Sequence, residues 1–337
     1  MIVAALDYPA LREATLPPEQ RGVARDRVRM LVTDVKRRHH DDLHFNDLPQ
    51  VIRSGDLIVV NDSATMPAAL RAVRANGERL PVHVGTSIDS SLWIVEPRGA
   101  VQPGETLSIG LGATATMLAP VDVQRPRLWY ARFELPCAMQ PFLAKAGEPL
   151  HYAYVREALP LAVYQTMFAR VPGSAEMPSA ARPFTPAVVR ELRRAGATIA
   201  TITLHCGISS MEKPERPGIE RYAVPASTAD AVNAARREGR RVIAIGSTVV
   251  RALETSRSGD VAIASQGWTD LVVGPSQPPR VVDCVLSGFH MPEATHIDLL
   301  RAFVDDELLQ QAYAHAARAG YLCHEFGDVH LIVSHTV

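Results

Sequence analysis

Three stretches of the chain place polar side chains directly after short apolar runs. His205 follows Thr203-Leu204, Ser247-Thr248 follow Val242–Ile245, and Phe289-His290 follow Leu286-Ser287-Gly288. Polar groups that converge at the carboxyl ends of strands are typical of a ligand crevice in an α/β sheet. A histidine with a pKa of ~6.5 can accept or donate a proton at neutral pH. The pattern therefore predicts acid–base chemistry, and the alternative for each histidine is a hydrogen-bonded structural side chain.

The stretch Arg240–Glu254 (RRVIAIGSTVVRALE) predicts the element that organises this crevice. Its apolar, β-branched run is typical of a buried strand, Gly246 breaks the run, and Ser247 or Thr248 is expected to cap a helix. A helix N-terminus at the carboxyl edge of a sheet presents free N–H groups that attract anions and polar groups. The alternative interpretation is an ordinary strand–helix corner that binds nothing.

The surrounding elements predict an α/β main domain, formed by residues 1–71 and 151–337, with an inserted small all-β, barrel-like domain at 72–150. The insert is indicated by short alternating runs between Gly, Pro or Asp turns, namely Leu80–Val84, Leu92–Val95, Thr106–Ile109, Thr114–Leu118 and Leu128–Leu135. In the main domain, Thr185-Pro186 is expected to open a helix that Gly196 closes. Thr295 is expected to cap one amphipathic helix over 296–318.

Composition narrows the class of protein. The 35 Lys and Arg residues balance 36 Asp and Glu residues, so no overall field indicates a nucleic-acid or membrane binder. The four cysteines are far apart, which argues against a zinc site or a disulfide framework, and a reducing cytoplasm is the expected location. The charged segment His39–His44 (HHDDLH) is interpreted as a solvated loop rather than a metal site. We expect no metal and no membrane span.

Motifs in collinear order along nearly the whole chain resemble one known family. They are Phe45–Leu48, Gly55–Asp62, Tyr164-Gln165-Thr166, Pro172-Gly173-Ser174, Thr203-Leu204-His205, Ile245–Thr248 with Arg251 and Glu254, Gly267–Leu271, Val281–Asp283, Phe289–Pro292, and Phe326-Gly327-Asp328. On these residues the chain is similar to the S-adenosylmethionine:tRNA ribosyltransferase-isomerases of queuosine biosynthesis.

The resemblance implies an α/β domain with an inserted β-barrel, and S-adenosylmethionine as co-substrate. It also implies transfer of the ribosyl moiety to 7-aminomethyl-7-deazaguanine in tRNA, with release of adenine and methionine. The implied catalytic residues are His205 and His290, and which of them is base or acid stays open. The implied substrate-binding residues are Tyr164, Gln165, Ser247, Thr248, Arg251, Glu254, Trp268, Asp270 and Phe289, with Trp268, Phe289 or Tyr164 stacking on adenine or facing the sulfonium. We expect a monomer.

Four departures from the family pattern fall in loops predicted at the active site. They are Ala180–Pro183, where Pro183 replaces a histidine, Cys206–Met211, Glu220–Tyr222, and Gly288, which replaces an asparagine. Proline has no side chain that can titrate or hydrogen-bond. The retained elements with altered loops are consistent with an altered acceptor or altered chemistry.

Three functions from two classes therefore stay open. The first is the tRNA enzyme itself, and the second is a divergent enzyme that uses S-adenosylmethionine, or a related nucleoside, with a small-molecule or other non-tRNA acceptor. The third is a non-catalytic protein that binds a nucleoside or RNA. Titratable groups retained at several strand ends favour an enzyme, because binding alone does not require them.

Overall fold

The structure is a computed structural model that describes residues 10–208, 217–291 and 294–334. Its strands are β1 (Arg12–Glu13), β2 (Arg29–Asp34), β3 (His39–His44), β4 (Leu57–Asn61), β5 (Ser63–Thr65), β6 (Ala69–Val73), β7 (Arg79–Ser87), β8 (Leu92–Pro97), β9 (Thr106–Ser108), β10 (Thr114–Pro120), β11 (Trp129–Glu134), β12 (Gly147–Glu148), β13 (Val171–Ser174), β14 (Thr198–Leu204), β15 (Glu220–Val224), β16 (Val242–Ile245), β17 (Arg257–Ser258), β18 (Val261–Ala262), β19 (Ser265–Thr269), β20 (Cys284–Gly288), β21 (Leu322–Cys323) and β22 (Val329–Val333).

The α-helices are α1 (Leu48–Val51), α2 (Met139–Ala146), α3 (Pro186–Arg194), α4 (Ala226–Arg237), α5 (Ser247–Thr255), α6 (Thr295–Leu300) and α7 (Asp306–Ala319). Short 3₁₀ helices cover Pro18–Arg21, Arg25–Arg27, Phe45–Asp47, Leu161–Tyr164 and Ser179–Ala181. None of the helices in the described part of the chain is long and apolar enough to cross a membrane.

A nine-stranded mixed sheet forms the centre of the main domain, in the order β19-β15-β14-β4-β16-β20-β22-β2-β3. The strands β14, β4, β16 and β20 are parallel neighbours, so their carboxyl ends meet at one edge. Each residue of β4 and β16 is buried, because helices cover both faces of the sheet. One face packs against α4, α5, α6 and α7, and the other packs against α1 and α3.

The inserted domain is a closed antiparallel barrel whose strands run from Ala69 to Glu134. Neighbouring strands pair in the order β6-β7-β8-β11-β10-β9, and the pair Val73 and Ser108 joins β6 to β9 and closes the ring. Alternate side chains point inward and form a separate apolar core that includes Trp93, Met117 and Phe133. The predicted fold class, an α/β domain with a barrel-like insert, is confirmed. The exact division at residues 72 and 150 stays a prediction.

Two local predictions are wrong, and one is confirmed. The segment His39–His44 is an edge strand rather than a loop, because its backbone pairs antiparallel with β2 along its whole length while its side chains stay largely exposed. The single helix expected over 296–318 is two helices, because the Asp305 carboxylate caps a new start by accepting from Leu308 N at 2.9 Å. Helix α3 begins at Pro186 with Thr185 as its cap, as predicted.

Candidate active site

The carboxyl ends of the parallel strands bring together the three stretches that the sequence singles out. His205 follows β14, Ser247 begins the helix after β16, and His290 follows β20. The strand β4, which ends at Asn61, lies between β14 and β16. All four strand ends lie at the same edge of the sheet, as expected for a crevice in an open α/β sheet.

His205 ends a chain of hydroxyl groups. Its Nδ1 lies 2.7 Å from Ser63 Oγ, which lies 2.6 Å from Ser174 Oγ, and Ser174 Oγ accepts from Cys206 N at 2.9 Å. Ser63 and Ser174 are fully buried, so an unpaired hydroxyl there is costly. Every donor in this series of hydrogen bonds has an acceptor when Ser174 donates to Ser63 and Ser63 donates to Nδ1 of His205. This arrangement leaves the proton of a neutral His205 on Nε2.

The imidazole of His205 is held close against the backbone. A side-chain carbon on Gly173 would lie 2.4 Å from Nδ1, so only glycine allows this approach. Burial lowers the pKa of His205, the charge of Arg221 lowers the pKa further, and Asp62 opposes the shift. His205 is therefore neutral at pH 7.

The N-terminus of α5 contributes the second part of the edge. Gly246 precedes the helix with a φ of 94°, a left-handed conformation that glycine adopts without strain. Ser247 and Thr248 are the first two helical residues rather than side-chain caps, which corrects the predicted capping role. The Thr248 hydroxyl accepts from Asn61 Nδ2 at 3.2 Å, so the helix start is fixed to the end of β4. Backbone N–H groups of the first turn therefore face the same edge as His205.

His290 occupies the third part of the edge and has different neighbours. Its Nε2 lies 3.1 Å from Ser287 Oγ, and its ring stacks on His296 with centroids 4.0 Å apart. Burial lowers the pKa of His290 far below its ordinary value, and the nearby His296 and His324 lower it further. Burial also lowers the pKa of His296 to about 4, so the stacked pair is neutral at pH 7. Strands β14 and β20 are three spacings apart, which separates the two catalytic candidates by roughly 14 Å along the sheet.

A small cavity of about 10 Å³ lies beside Gly288 and includes Glu325 in its lining. Burial raises the pKa of Glu325 to about 7, and no described residue forms a hydrogen bond with its buried Oε2. Arg182 and Pro183 line the same cavity. A carboxyl group with a pKa near 7 is suited to exchange a proton at neutral pH.

Arg251 lies behind the edge, in a buried ion pair with Glu220. Its Nε donates to the Leu271 carbonyl at 2.9 Å. Glu220 also accepts from Gly207 N at 2.7 Å, so the pair fixes the loop that follows His205. The structure thus gives Arg251 a positioning role, and the predicted contact with substrate stays a prediction.

Glu254 also binds backbone. Its carboxylate accepts from the N–H groups of Val281 at 2.9 Å and Val282 at 3.2 Å, and it pairs with Arg257. These contacts fix the segment that leads into β20. A contact between Glu254 and substrate stays a prediction.

Three other predicted binding residues make contacts within the protein, and two of them are buried. Tyr164 is buried beside Tyr152 and Phe326. Phe289 is fully buried, and its ring meets Tyr313 edge-on. The Gln165 side chain bonds to the backbone of Thr65 at 3.1 and 2.8 Å. Neither aromatic ring has a free face at the edge, so stacking of these rings on adenine would require movement.

Trp268 and Asp270 lie at the outer side of the sheet. Trp268 is on the edge strand β19 and is 40% exposed, and Asp270 is exposed just beyond that strand. Trp268 therefore has an accessible ring, unlike Tyr164 and Phe289.

The departures from the family pattern surround this edge. Pro183 and Gly288 line the cavity beside Glu325, and Glu220 holds the loop at Gly207. Ser209–Met211, which complete the altered loop after His205, lie outside the described residues. Among the residues that the structure describes, no group of three or more His, Cys, Asp or Glu side chains is placed to hold a metal ion. The expectation of no metal stays a prediction.

Sequence reasoning missed four residues of this site: Ser63, Ser174, His296 and Glu325. Ser174 belongs to the motif Pro172-Gly173-Ser174, but its proximity to Ser63 and His205 comes from pairing of β5 with β13, which the sequence does not show. Glu325 stands next to Phe326-Gly327-Asp328, one of the motifs that the sequence singles out. A titratable residue beside such a motif could have been named as a candidate.

The fold and the edge define a class of protein: a two-domain α/β protein with acid–base groups at the carboxyl edge of its sheet. The family model described as "Queuosine biosynthesis protein" matches residues 5–332. A relative named S-adenosylmethionine:tRNA ribosyltransferase-isomerase from Moorella thermoacetica is 35% identical, over 94% of this chain and 97% of its own. One of the same name from Thermus thermophilus is 34% identical, over 94% and 97%.

A solved structure agrees with these sequence relatives. The crystal structure of an S-adenosylmethionine tRNA ribosyltransferase from Thermotoga maritima is similar with a TM-score of 0.57 and 25% identity, covering 98% of this chain and all of that one. The chain belongs to the queuosine biosynthesis protein family.

Proposed function

We propose that the protein is an S-adenosylmethionine-dependent tRNA ribosyltransferase-isomerase. It transfers the ribosyl moiety of S-adenosylmethionine to 7-aminomethyl-7-deazaguanine in tRNA and releases adenine and methionine. The observation that carries the proposal is the family match over residues 5–332, with relatives of that name aligned over nearly their whole length. The convergence of His205, the α5 N-terminus and His290 at one edge supports it.

The donor lies along this edge, between β14 and β20. The first turn of α5 offers backbone N–H groups to its polar groups, and Thr248 is held in place by Asn61. Since His205 and His290 are roughly 14 Å apart along the sheet, they act at different ends of the donor.

Different neighbours support different roles for the two histidines. When Ser63 donates to Nδ1, a neutral His205 carries its proton on Nε2 and can donate a hydrogen bond from that nitrogen. Burial keeps the pKa of His290 far below its ordinary value, so the ring is neutral at pH 7, which is the state that a general base requires. The sulfonium acidifies the adjacent C5′ protons, which a neutral base removes, and departing adenine takes up a proton. Glu325, with a pKa of about 7, is a further group that exchanges a proton, in the cavity beside Gly288.

Adenine release tests the proposal. Wild-type protein is incubated with S-adenosylmethionine, with tRNA that carries the deazaguanine base and with the same tRNA carrying guanine. We expect adenine only with the first tRNA. Adenine in the absence of any tRNA would instead support the divergent enzyme with another acceptor.

The third function has its own outcome in the same assay. Binding of S-adenosylmethionine without adenine release under any condition would support a non-catalytic protein. A monomeric state and a cytoplasmic location stay predictions, which sedimentation and cell fractionation test.

A further inference from the structure

Three residues on neighbouring strands form a row that leads outward from the site. His205 N donates to the Arg221 carbonyl at 3.0 Å, which places Arg221 of β15 beside His205. Arg221 is paired in register with Trp268 of β19. Residues directly opposite each other in antiparallel strands share one face of the sheet, so the three side chains lie on the same side.

The outer two members of this row are exposed. Trp268 is 40% exposed on the last strand of the sheet, and the Arg221 guanidinium carbon lies 5.6 Å from the centroid of its ring. Arg221 is itself exposed, and its positive charge reaches His205 strongly enough to lower the pKa of that imidazole. An accessible indole and an adjacent guanidinium therefore lie between His205, a catalytic candidate, and the outer edge of the sheet.

We infer that Trp268 and Arg221 form a platform for the acceptor RNA, on which the indole stacks with an unpaired base next to the nucleotide that reacts at His205. The Arg221 guanidinium binds the phosphate beside that base. The inference rests on the proposed function for its acceptor and adds the place where the acceptor docks. Single-stranded RNA is commonly held by stacking of bases on aromatic rings together with arginine contacts to the backbone.

The strand order assigns the platform to RNA rather than to the adenine of the donor. The α5 N-terminus follows β16, whereas Trp268 lies on β19, with β4, β14 and β15 between the two strands. His205 stands between the platform and the donor groups. An RNA base that enters from the exposed edge would therefore meet His205 first.

The test measures acceptor and donor binding separately in Trp268→Ala and Trp268→Phe. The RNA probe is an unmodified tRNA anticodon stem-loop, and S-adenosylmethionine binding is measured by calorimetry. Loss of a base stack costs ~1–3 kcal/mol, so Trp268→Ala should weaken RNA binding about 5- to 150-fold. The dissociation constant of S-adenosylmethionine should change less than about twofold, and Trp268→Phe should retain most of the RNA affinity because it keeps a ring.

The salt dependence separates the two members of the platform. Loss of one phosphate contact to a single strand reduces the slope of log K against log salt by ~0.7, so Arg221→Ala should show this change and Trp268→Ala should not. Matched controls are Arg194→Ala, whose side chain is 73% exposed on α3, and Val123→Ala, which is 82% exposed on the barrel. Both controls should bind the stem-loop like wild type.

Two results would overturn the platform. One is unchanged stem-loop binding in both Trp268→Ala and Arg221→Ala. The other is weaker S-adenosylmethionine binding with unchanged RNA binding, which would move Trp268 to the donor pocket. Wild-type adenine release is measured in parallel: its absence speaks against the proposed function, whereas active wild type with unaffected variants speaks against the platform alone.

Discussion

His205 and His290 stand at the same edge of one sheet but differ in what surrounds them. Ser63, Ser174 and the backbone orient His205, and Arg221 places a positive charge near it. The ring of His290 lies against another imidazole, and its pKa is shifted much further. Both rings are neutral at pH 7, so their protonation alone does not distinguish them. Their neighbours do distinguish them, because the hydroxyl groups beside His205 support a proton on its Nε2.

Removal of either histidine should have the largest effect on activity. General acid–base groups contribute about 10²- to 10⁴-fold, so His205→Ala and His290→Ala should each lower single-turnover adenine release within that range. Thermal unfolding and S-adenosylmethionine binding serve as controls for an intact fold. Release at the wild-type rate in either variant would remove that histidine from the mechanism.

Breaking the ion pair behind the His205 loop should have the next largest effect. Arg251→Ala leaves Glu220 charged and largely buried, because only 12% of its side chain is exposed, and such a change costs about 3–5 kcal/mol. Urea unfolding measures the loss. The double variant Arg251→Met/Glu220→Gln should recover part of it, and an equal loss in both would mean that the unpaired charge is not the cause.

The pH dependence of protein stability tests the environment of Glu325, which lines the cavity beside Gly288. Its pKa is raised from 4.5 to about 7, so the folded protein binds the extra proton between these values. Its contribution to stability is present below about pH 4.5 and is lost as the pH rises through 7. Wild type should therefore lose about 1–3 kcal/mol between pH 5 and 8 relative to Glu325→Gln. A control is Glu191→Gln on α3, and parallel pH curves for Glu325→Gln and wild type would contradict the assignment.

Ser63→Ala should have the smallest effect on activity. It removes the hydroxyl that lies 2.7 Å from His205 Nδ1, and one hydrogen bond contributes ~0.5–1.5 kcal/mol, or about 2- to 13-fold in adenine release. Ser287→Ala, on the His290 side, is the matched variant. Imidazole nitrogen shifts by NMR should show Nε2–H on His205 in wild type, and Nδ1–H there would reverse its role.

Much of the architecture follows from local patterns. Alternating strands between turn residues predict the barrel, and Thr185-Pro186 predicts the start of α3, because period and capping are local properties. The prediction of one helix over 296–318 failed because the polar Asp305 falls within this segment and caps a second helix.

The site was predictable only in part, because its chemistry depends on contacts between distant segments. His205, Ser247 and His290 are marked by their places after apolar runs. The sequence does not show which motif residues are buried, since Phe289 and Tyr164 pack into cores. It also does not show the ion-pair partner of Arg251, because Glu220 lies 31 residues away. The Ser63–Ser174 contact joins residues 111 positions apart, which no spacing rule predicts.

Adenine release by the double variant His205→Ala/His290→Ala tests most directly whether these two histidines serve one reaction. Because the two histidines are proposed to serve successive proton transfers at different ends of the donor, the slower step limits the rate. The double variant should therefore lose about as much activity as the worse single variant. Losses that multiply would mean that both histidines act in the same step and would contradict this division.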